Sequence, residues 1–122
     1  MIINYGKHLI DKDDIQSVIK SLRGNNITQG KNITKFESAI NKFFGSKYSS
    51  VLSSGTAALH LAGKALNWSK KDTVATTPLT FLASINSIIY SGARPELIDI
   101  NSETYTIDLN KLENKLKKYK KK

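Results

Sequence analysis

Val51-Leu52-Ser53-Ser54-Gly55-Thr56-Ala57-Ala58-Leu59-His60-Leu61 is the stretch on which the fold turns. A short apolar run meets two serines, a glycine and a threonine, and an alanine-rich segment follows at once. Tyr48 to Ser54 reads as a short buried strand and Thr56 to Leu66 as a helix. A strand-to-helix turn of small residues permits two readings. Ser54 or Thr56 can cap the helix by accepting a first-turn N–H. Alternatively, the unpaired N–H groups and the positive end of the helix dipole can hold an anion, with Gly55 allowing close approach and Thr56 adding a hydroxyl. On local sequence alone the two stand level.

Downstream of the turn the pattern repeats. Asp72 to Pro78 reads as a strand ended by proline. Leu82 to Gly92 reads as a helix with Leu82, Ile85, Ile88 and Ile89 on one side and Gly92 at its end. Arg94 to Ile100 reads as a third strand, and Asn110 to Lys120 as a last helix with Leu112, Leu116 and Tyr119 on one stripe. Strand and helix in alternation define an α/β fold with parallel strands. Ligands of such sheets sit at the carboxyl ends of strands. That rule places the SSGT turn, the TTPLTF turn (Thr76–Phe81) and the DINSETY turn (Asp99–Tyr105) side by side.

Upstream, Asp11 reads as an N-cap followed by Ile15, Val18, Ile19 and Leu22 on one helical face, with Gly24 closing the helix. A second helix is expected to turn Ile33, Phe36, Ile40, Phe43 and Phe44 inward and to end at Gly45. No internal repeat or linker interrupts the chain. The loop between the helices, GNNITQGKN, resembles a phosphate-binding P-loop only superficially. Five residues separate Gly24 from Gly30, Asn32 stands where Ser or Thr would hold magnesium, and the loop follows a helix instead of a strand.

Composition removes several function classes. There is no cysteine, so neither a disulfide framework nor a thiolate metal site is available, in keeping with a reducing cytoplasm. No apolar run approaches the ~20 residues of a membrane span. The start, MIINYGKHLI, lacks the apolar core of an export signal, so a cytoplasmic location is expected. The Asn-x-Ser/Thr triplets at Asn26, Asn32 and Asn67 are read as chance. The net charge of +9 is mostly terminal. Without Lys115, Lys117, Lys118, Lys120, Lys121 and Lys122 the chain has 13 basic against 10 acidic residues, a net of +3. This predicts a solvated terminal helix and no nucleic-acid partner, since no aromatic residues interleave the basic residues of the body.

Phe81, at the start of the helix after TTPLTF, is either a core residue or a plate on which a planar ring stacks. A phosphate cradle beside an aromatic plate suggests a phosphorylated aromatic cofactor. His60, inside an apolar helix, reads as a satisfied packing residue, and His8 has no partner in prospect. No Ser–His–Asp set, metal-spaced cluster or carboxylate pair can be assembled.

SSGTAALHLA, TTPLTF and IDINSETYTIDLNKLE, in that order and spacing, resemble the N-terminal part of the DegT-type sugar aminotransferases. The opening NYGKHLIDKDDIQSVIKSLRGNNITQG resembles the subgroup that makes UDP-4-amino-4,6-dideoxy-N-acetyl-β-L-altrosamine for pseudaminic acid. The resemblance runs from about residue 4 to residue 114. It implies an incomplete aspartate-aminotransferase-like large domain (pyridoxal-phosphate fold type I) and pyridoxal 5′-phosphate as cofactor. It also implies transfer of an amino group, with glutamate the expected donor, to the C4 ketone of a UDP-linked 4-keto-6-deoxy amino sugar.

Residue by residue, the resemblance gives Gly55, Thr56 and Ala57 the cofactor phosphate and Phe81 the pyridine ring. It gives Tyr5, Asn25, Asn26, Ile27 and Thr28, with Gly55, the nucleotide sugar. A homodimer is implied for the full-length form. Residues 1–46 would be an N-terminal helical segment, 47–114 the start of the cofactor-binding α/β domain, and 115–122 a lysine-rich tail.

Two departures accompany this. Lys31 replaces a proline common after T-Q-G. The Schiff-base lysine and the acid that pairs with the pyridinium nitrogen lie downstream of the matched part, and Lys64 corresponds to neither. No catalytic residue is therefore expected here, and the chain alone is expected to be inactive, as a fragment or half of a split enzyme. A stand-alone phosphate-binding α/β module is the alternative, and a basic nucleic-acid binder a third.

Overall fold

The computed structural model describes residues 6–120, and of Lys120 only the backbone. Seven elements follow in order: α1 (Lys12–Leu22), α2 (Lys31–Phe44), α3 (Gly55–Ala65), β1 (Thr73–Thr76), α4 (Leu82–Ser91), β2 (Arg94–Leu97) and α5 (Leu109–Lys120). The chain divides into two compact units, Met1–Val51 and Leu52–Lys122, so the boundary falls inside the strand-to-helix stretch.

In the first unit, local signals set the helix ends. Asp11 accepts from the N–H groups of Asp13 (2.9 Å) and Asp14 (3.0 Å), and the Asp14 carboxylate accepts from the Asp11 N–H (3.1 Å), a reciprocal capping box. Helix α1 closes on Arg23, with Gly24 just beyond it. Gly45 ends α2 in the left-handed region (φ 66°), where a side chain would be strained. The apolar stripes, however, are not buried. Ile15, Val18 and Leu22 are exposed, as are Ile33, Phe36, Phe43 and Phe44, and neither helix has a buried residue. The expected inward turn of the α2 aromatics is therefore corrected: nothing within the unit lies over them.

The expected strand at residues 48–54 does not form. Of the described residues, only β1 and β2 are strands, and they make one parallel two-stranded sheet with Thr73 opposite Arg94 and Thr76 opposite Leu97. A strand exists through a ladder partner, and the segment has none in its unit. Its groups go to α2 instead. Ser49 Oγ donates to the Glu37 carbonyl (2.9 Å), and the Val51 N–H donates to Glu37 Oε1 (3.0 Å).

In the second unit, α4 packs on both strands and on α3. The buried residues are Gly63, Ala83, Ser87, Ile88, Ser91, Ala93 and Ile98. This corrects the expected face of α4: Ile88 is buried, but Leu82 and Ile89 are exposed, and the residue of α4 that meets Gly63 of α3 is the buried Ser91. The reason is at Gly63, a buried glycine of α3. A Cβ there would run into Ser91 Oγ and the Trp68 ring, so the two helix backbones approach too closely for larger residues. Ser91 Oγ, itself 2% exposed, donates to the carbonyls of Ser87 (2.7 Å) and His60 (3.2 Å), tying the helices together. Gly92 closes α4 at φ 97°.

Helix α5 lies against the sheet through Leu112 and Leu116, which with Ala75 and Ile98 line a cavity of about 410 Å³. Three of its lysines pair with acids: Lys111 with Asp99 (2.7 Å), Lys117 with Glu113 (2.7 Å) and Lys115 with Glu96 of β2.

The Lys115 ammonium hydrogen-bonds the Glu96 carboxylate and holds its pKa below the ordinary value, against the opposing effect of burial. The Tyr119 hydroxyl (3.1 Å) adds to the lowering. A carboxyl depressed by folding contributes stability that is present above its unfolded pKa, about 4.5, and lost as pH falls through the lower folded value. The thermal midpoint is accordingly expected to fall more steeply below pH 4.5 in the wild type than in Glu96→Gln. Circular dichroism melts of both proteins from pH 7 to pH 3 check this, and parallel curves would refute it.

Candidate functional site

The N-terminus of α3 answers one half of the opening question directly. Ser54 is the N-cap, fully extended (φ −163°, ψ 161°), and its hydroxyl accepts from the Ala57 N–H at 3.1 Å, while the Ala58 N–H donates to the Ser54 carbonyl at 3.1 Å. The first-turn N–H groups of Gly55 and Thr56 find no acceptor among the described residues. Above Gly55 is open space: a Cβ built there meets nothing within 4 Å. Gly55 is exposed and Thr56 half-buried. Capping and anion binding are thus not rivals here. The cap takes one donor, at Ala57, and leaves the Gly55 and Thr56 N–H groups unpartnered among the described residues at the dipole's positive end, with open space at Gly55. Ala57, expected among the phosphate donors, has its N–H already engaged by Ser54.

Phe81 is the N-cap of α4 and makes no side-chain cap bond. It is 79% exposed, so the core reading of this ring is not the one realised. Its position follows from the chain. β1 ends at Thr76, and the turn is closed by Thr77 Oγ1 donating to the Leu79 carbonyl (3.1 Å). The Thr80 and Ser84 hydroxyls pair across the helix start (3.0 Å). These hydroxyls are used in holding the turn, and the Phe81 ring is left over.

The third turn of interest, DINSETY, is closed on itself. Asn101 Oδ1 accepts from the N–H groups of Glu103 (2.8 Å) and Thr104 (3.1 Å), Tyr105 sits at φ 56°, and Ile100 bridges Ile107. Asn101 thus serves the turn, while Asp99 pairs with Lys111 of α5. β1 and β2 are parallel neighbours, so the TTPLTF and DINSETY turns leave the same edge of the sheet. The SSGT turn leaves no strand.

His60 departs from expectation. Its ring meets the Tyr90 ring edge-on at 5.7 Å, which is packing, but Nε2 is buried with no hydrogen-bond partner, so the residue is not satisfied. Nothing in the sequence signals this, because the partner of a buried nitrogen is a matter of three-dimensional neighbours. Lys64 stands in the last turn of α3. It is nine residues from Gly55, roughly 13 Å along the axis, at the far end of the helix from the cradle.

The residues expected at a nucleotide sugar, Asn25, Asn26, Ile27 and Thr28, are all exposed in the loop between α1 and α2 of the first unit, and Ile27 is 77% exposed. Asn25 and Asn26 line a cavity there. Tyr5 lies outside the described residues. Among the described residues no His, Cys, Asp and Glu cluster could hold a metal, and no helix is long and apolar enough to cross a membrane.

Residues 8–122 match the DegT/DnrJ/EryC1/StrS aminotransferase family. The UDP-4-amino-4,6-dideoxy-N-acetyl-beta-L-altrosamine transaminase of Campylobacter jejuni (strain 81-176) is 43% identical over 117 residues, which are 96% of this chain and 31% of that protein. The spore coat polysaccharide biosynthesis protein SpsC of Bacillus subtilis is 40% identical over 109 residues, 89% of this chain and 28% of that protein. Among solved structures, the PLP form of the candidate sugar aminotransferase Spr1654 from Streptococcus pneumoniae superposes with a TM-score of 0.84 at 29% identity, covering 92% of this chain and 29% of that one. The chain thus spans less than a third of the length of the proteins it matches.

Proposed function

The chain belongs to the DegT/DnrJ/EryC1/StrS aminotransferase family, with part of that family's α/β fold type I, and from this premise we propose that its second unit holds pyridoxal 5′-phosphate for a nucleotide-sugar transaminase. The observation that carries the reading is the pair of unpartnered N–H groups at Gly55 and Thr56 under open space, with an exposed aromatic ring, Phe81, on the next helix start. The donor set fits the group: two backbone N–H groups and a hydroxyl match a phosphate's acceptor oxygens, and no carboxylate stands in the first turn of α3 to repel it. Residues 47–114 are then the start of the cofactor-binding domain.

Bound there, the cofactor supplies the electron sink through which an amino group is exchanged. The chain's own part is to bind and orient. The N–H groups of Gly55 and Thr56 fix the phosphate, the Thr56 hydroxyl adds a third donor, and Ala57 contributes a low surface. Phe81 covers one face of the ring and keeps water from it. We assign Asn25, Asn26, Ile27 and Thr28, with Tyr5 and Gly55, to the nucleotide sugar. The substrate is taken as a UDP-linked 4-keto-6-deoxy amino sugar, receiving its amino group at C4 from glutamate, for pseudaminic acid or related surface-glycan synthesis. The 43% identity to the altrosamine transaminase supports this choice. A cytoplasmic homodimer completes the proposal. Lys64 stands at the far end of α3 from the cradle, and these 122 residues are expected to bind without turning over.

Phe81→Ala tests the site. The side chain is exposed, so stability should change by less than about 0.5 kcal/mol. Loss of a ring stack should weaken pyridoxal phosphate binding by about two- to tenfold, as read by equilibrium dialysis. Unchanged affinity would leave only a phosphate-binding module without a stacked ring.

A further inference from the structure

Helix α5 is held on the second unit unevenly. Helix α4 packs closely on both strands, whereas α5 stands off the same sheet across the cavity of about 410 Å³. Its apolar stripe is only partly covered: Leu116 is 50% exposed and Tyr119 47%. The base of the helix is fixed. Asp108 accepts from the N–H groups of Asn110 (2.9 Å) and Lys111 (3.0 Å), and its own N–H donates to the Asp99 carbonyl (3.0 Å). Lys111 pairs with Asp99 (2.7 Å), and Ile100 bridges Ile107. The far half depends on one side chain. Lys115 and Tyr119 are one turn apart on α5, and both bind the Glu96 carboxylate of β2, Lys115 at Oε1 and the Tyr119 hydroxyl at Oε2 (3.1 Å). Among the described residues no other hydrogen bond or ion pair runs from residues 113–119 to a strand or another helix.

Releasing those two ties does not strand a charge. Arg94 lies two residues along β2, on the same face of the strand as Glu96. Arg94 and Lys71 both line the cavity, and neither is in an ion pair among the described residues. Asp72, which also lines it, is occupied by the N–H and the hydroxyl of Ser69, each at 2.8 Å. With Lys115 withdrawn, the Glu96 carboxylate still faces cations. We propose that α5 is a hinged strap. Its base stays on the 99–108 turn, and the half beyond Leu112 swings on and off the sheet as Glu96 takes or releases Lys115 and Tyr119. Closed, it covers the cavity floor at Ile98, and open, it uncovers that floor. Exposed ion pairs contribute little and are screened by salt, so the two positions are close in free energy and ionic strength shifts the balance between them. The strap invokes no ligand and is independent of the cofactor reading.

The 122-residue chain has no cysteine, so one introduced thiol reports the opening. Ile98→Cys puts a thiol on the cavity floor, at a position that is 4% exposed. Ser87→Cys puts one on α4, at a position that is 3% exposed and away from the cavity lining. A maleimide labels each according to how often it is uncovered. Adding Glu96→Gln is expected to speed labelling at position 98 by about two- to fivefold and to leave position 87 unchanged. Raising the salt should do the same in the chain that keeps Glu96, and less in the one that does not. The helical signal in circular dichroism should be retained throughout. Thr73→Cys, half-buried in the same cavity, gives the same reading should Ile98→Cys fail to fold. Equal labelling with and without the Glu96 carboxylate overturns the strap. So does an equal rise at positions 98 and 87, which would be unfolding of the unit. A loss of helical signal overturns it as well, since α5 would then melt instead of swinging.

Discussion

Gly63→Val is expected to destabilise the second unit by about 3 kcal/mol, and Gly63→Ala by roughly 1–2 kcal/mol. Two effects oppose each other. Glycine within a helix is unfavourable by about 1 kcal/mol relative to alanine, so α3 itself would gain from the change. Against this, the new Cβ meets two atoms that have little room to yield. Ser91 Oγ is 2% exposed and held by its bonds to the Ser87 and His60 carbonyls, and Trp68 presents the edge of a rigid ring. Overpacking against fixed neighbours costs about 1–3 kcal/mol and outweighs the propensity gain. Urea unfolding followed by the fluorescence of Trp68, the single tryptophan, measures the result at the point of contact. In the double variant Gly63→Ala, Ser91→Ala one of the two obstacles is gone. The two substitutions should therefore combine to less than the sum of their separate costs. A Gly63→Ala protein more stable than the wild type would show that α3 and α4 part without penalty.

That contact also shows where a sequence is legible and where it is not. The ends of the helices could be read because their causes are local. Asp11 and Asp14 satisfy each other across one turn, and Gly45 and Gly92 sit at positive φ, where other residues are strained. The face of α4 could not be read by hydrophobicity, because closeness of approach selects for size. Ser91 goes inward against Gly63 on another helix, and Leu82 and Ile89 stay outside. The segment around Val51 failed for a related reason. Its apolar centre has strand character, but pairing depends on a neighbour that no local pattern reports, and the Glu37 carboxylate takes its N–H instead.

The candidate site divides the same way. Gly55 and Phe81 could be picked out as small and aromatic residues at helix starts, and the structure leaves both exposed. The local pattern could not say how Ser54, Thr56 and Ala57 share the donors. The orphaned nitrogen of His60 depends on neighbours brought together from separate elements, and it has no motif.

Gly55→Pro is expected to separate the two roles of the α3 N-terminus, with pyridoxal phosphate affinity falling by at least about tenfold while the fold is retained. Gly55 is the first residue of the helix, where proline is well tolerated because the N–H it lacks has no intrahelical acceptor. The preceding residue, Ser54, is already extended at φ −163° and ψ 161°, the region that a following proline favours. A side chain at position 55 meets no atom within 4 Å. The substitution therefore deletes one donor and fills part of the space above it, while the Ser54 cap on the Ala57 N–H is left in place. If the stretch served only to start a helix, Gly55→Pro would be neutral or slightly stabilising in urea, and ligand affinity would not change. If it holds a phosphate, stability is kept and affinity is lost, because a charged acceptor has forfeited one N–H and its closest approach. Ser54→Ala supplies the opposite case. It removes the cap, at a cost of about 1 kcal/mol, and frees the Ala57 N–H for the ligand, so stability should fall while binding persists. Dialysis against pyridoxal phosphate and urea melts on the same two variants decide it. Parallel losses in both measurements for Gly55→Pro would mean that the turn had been distorted and that Gly55 supports the helix, not the anion.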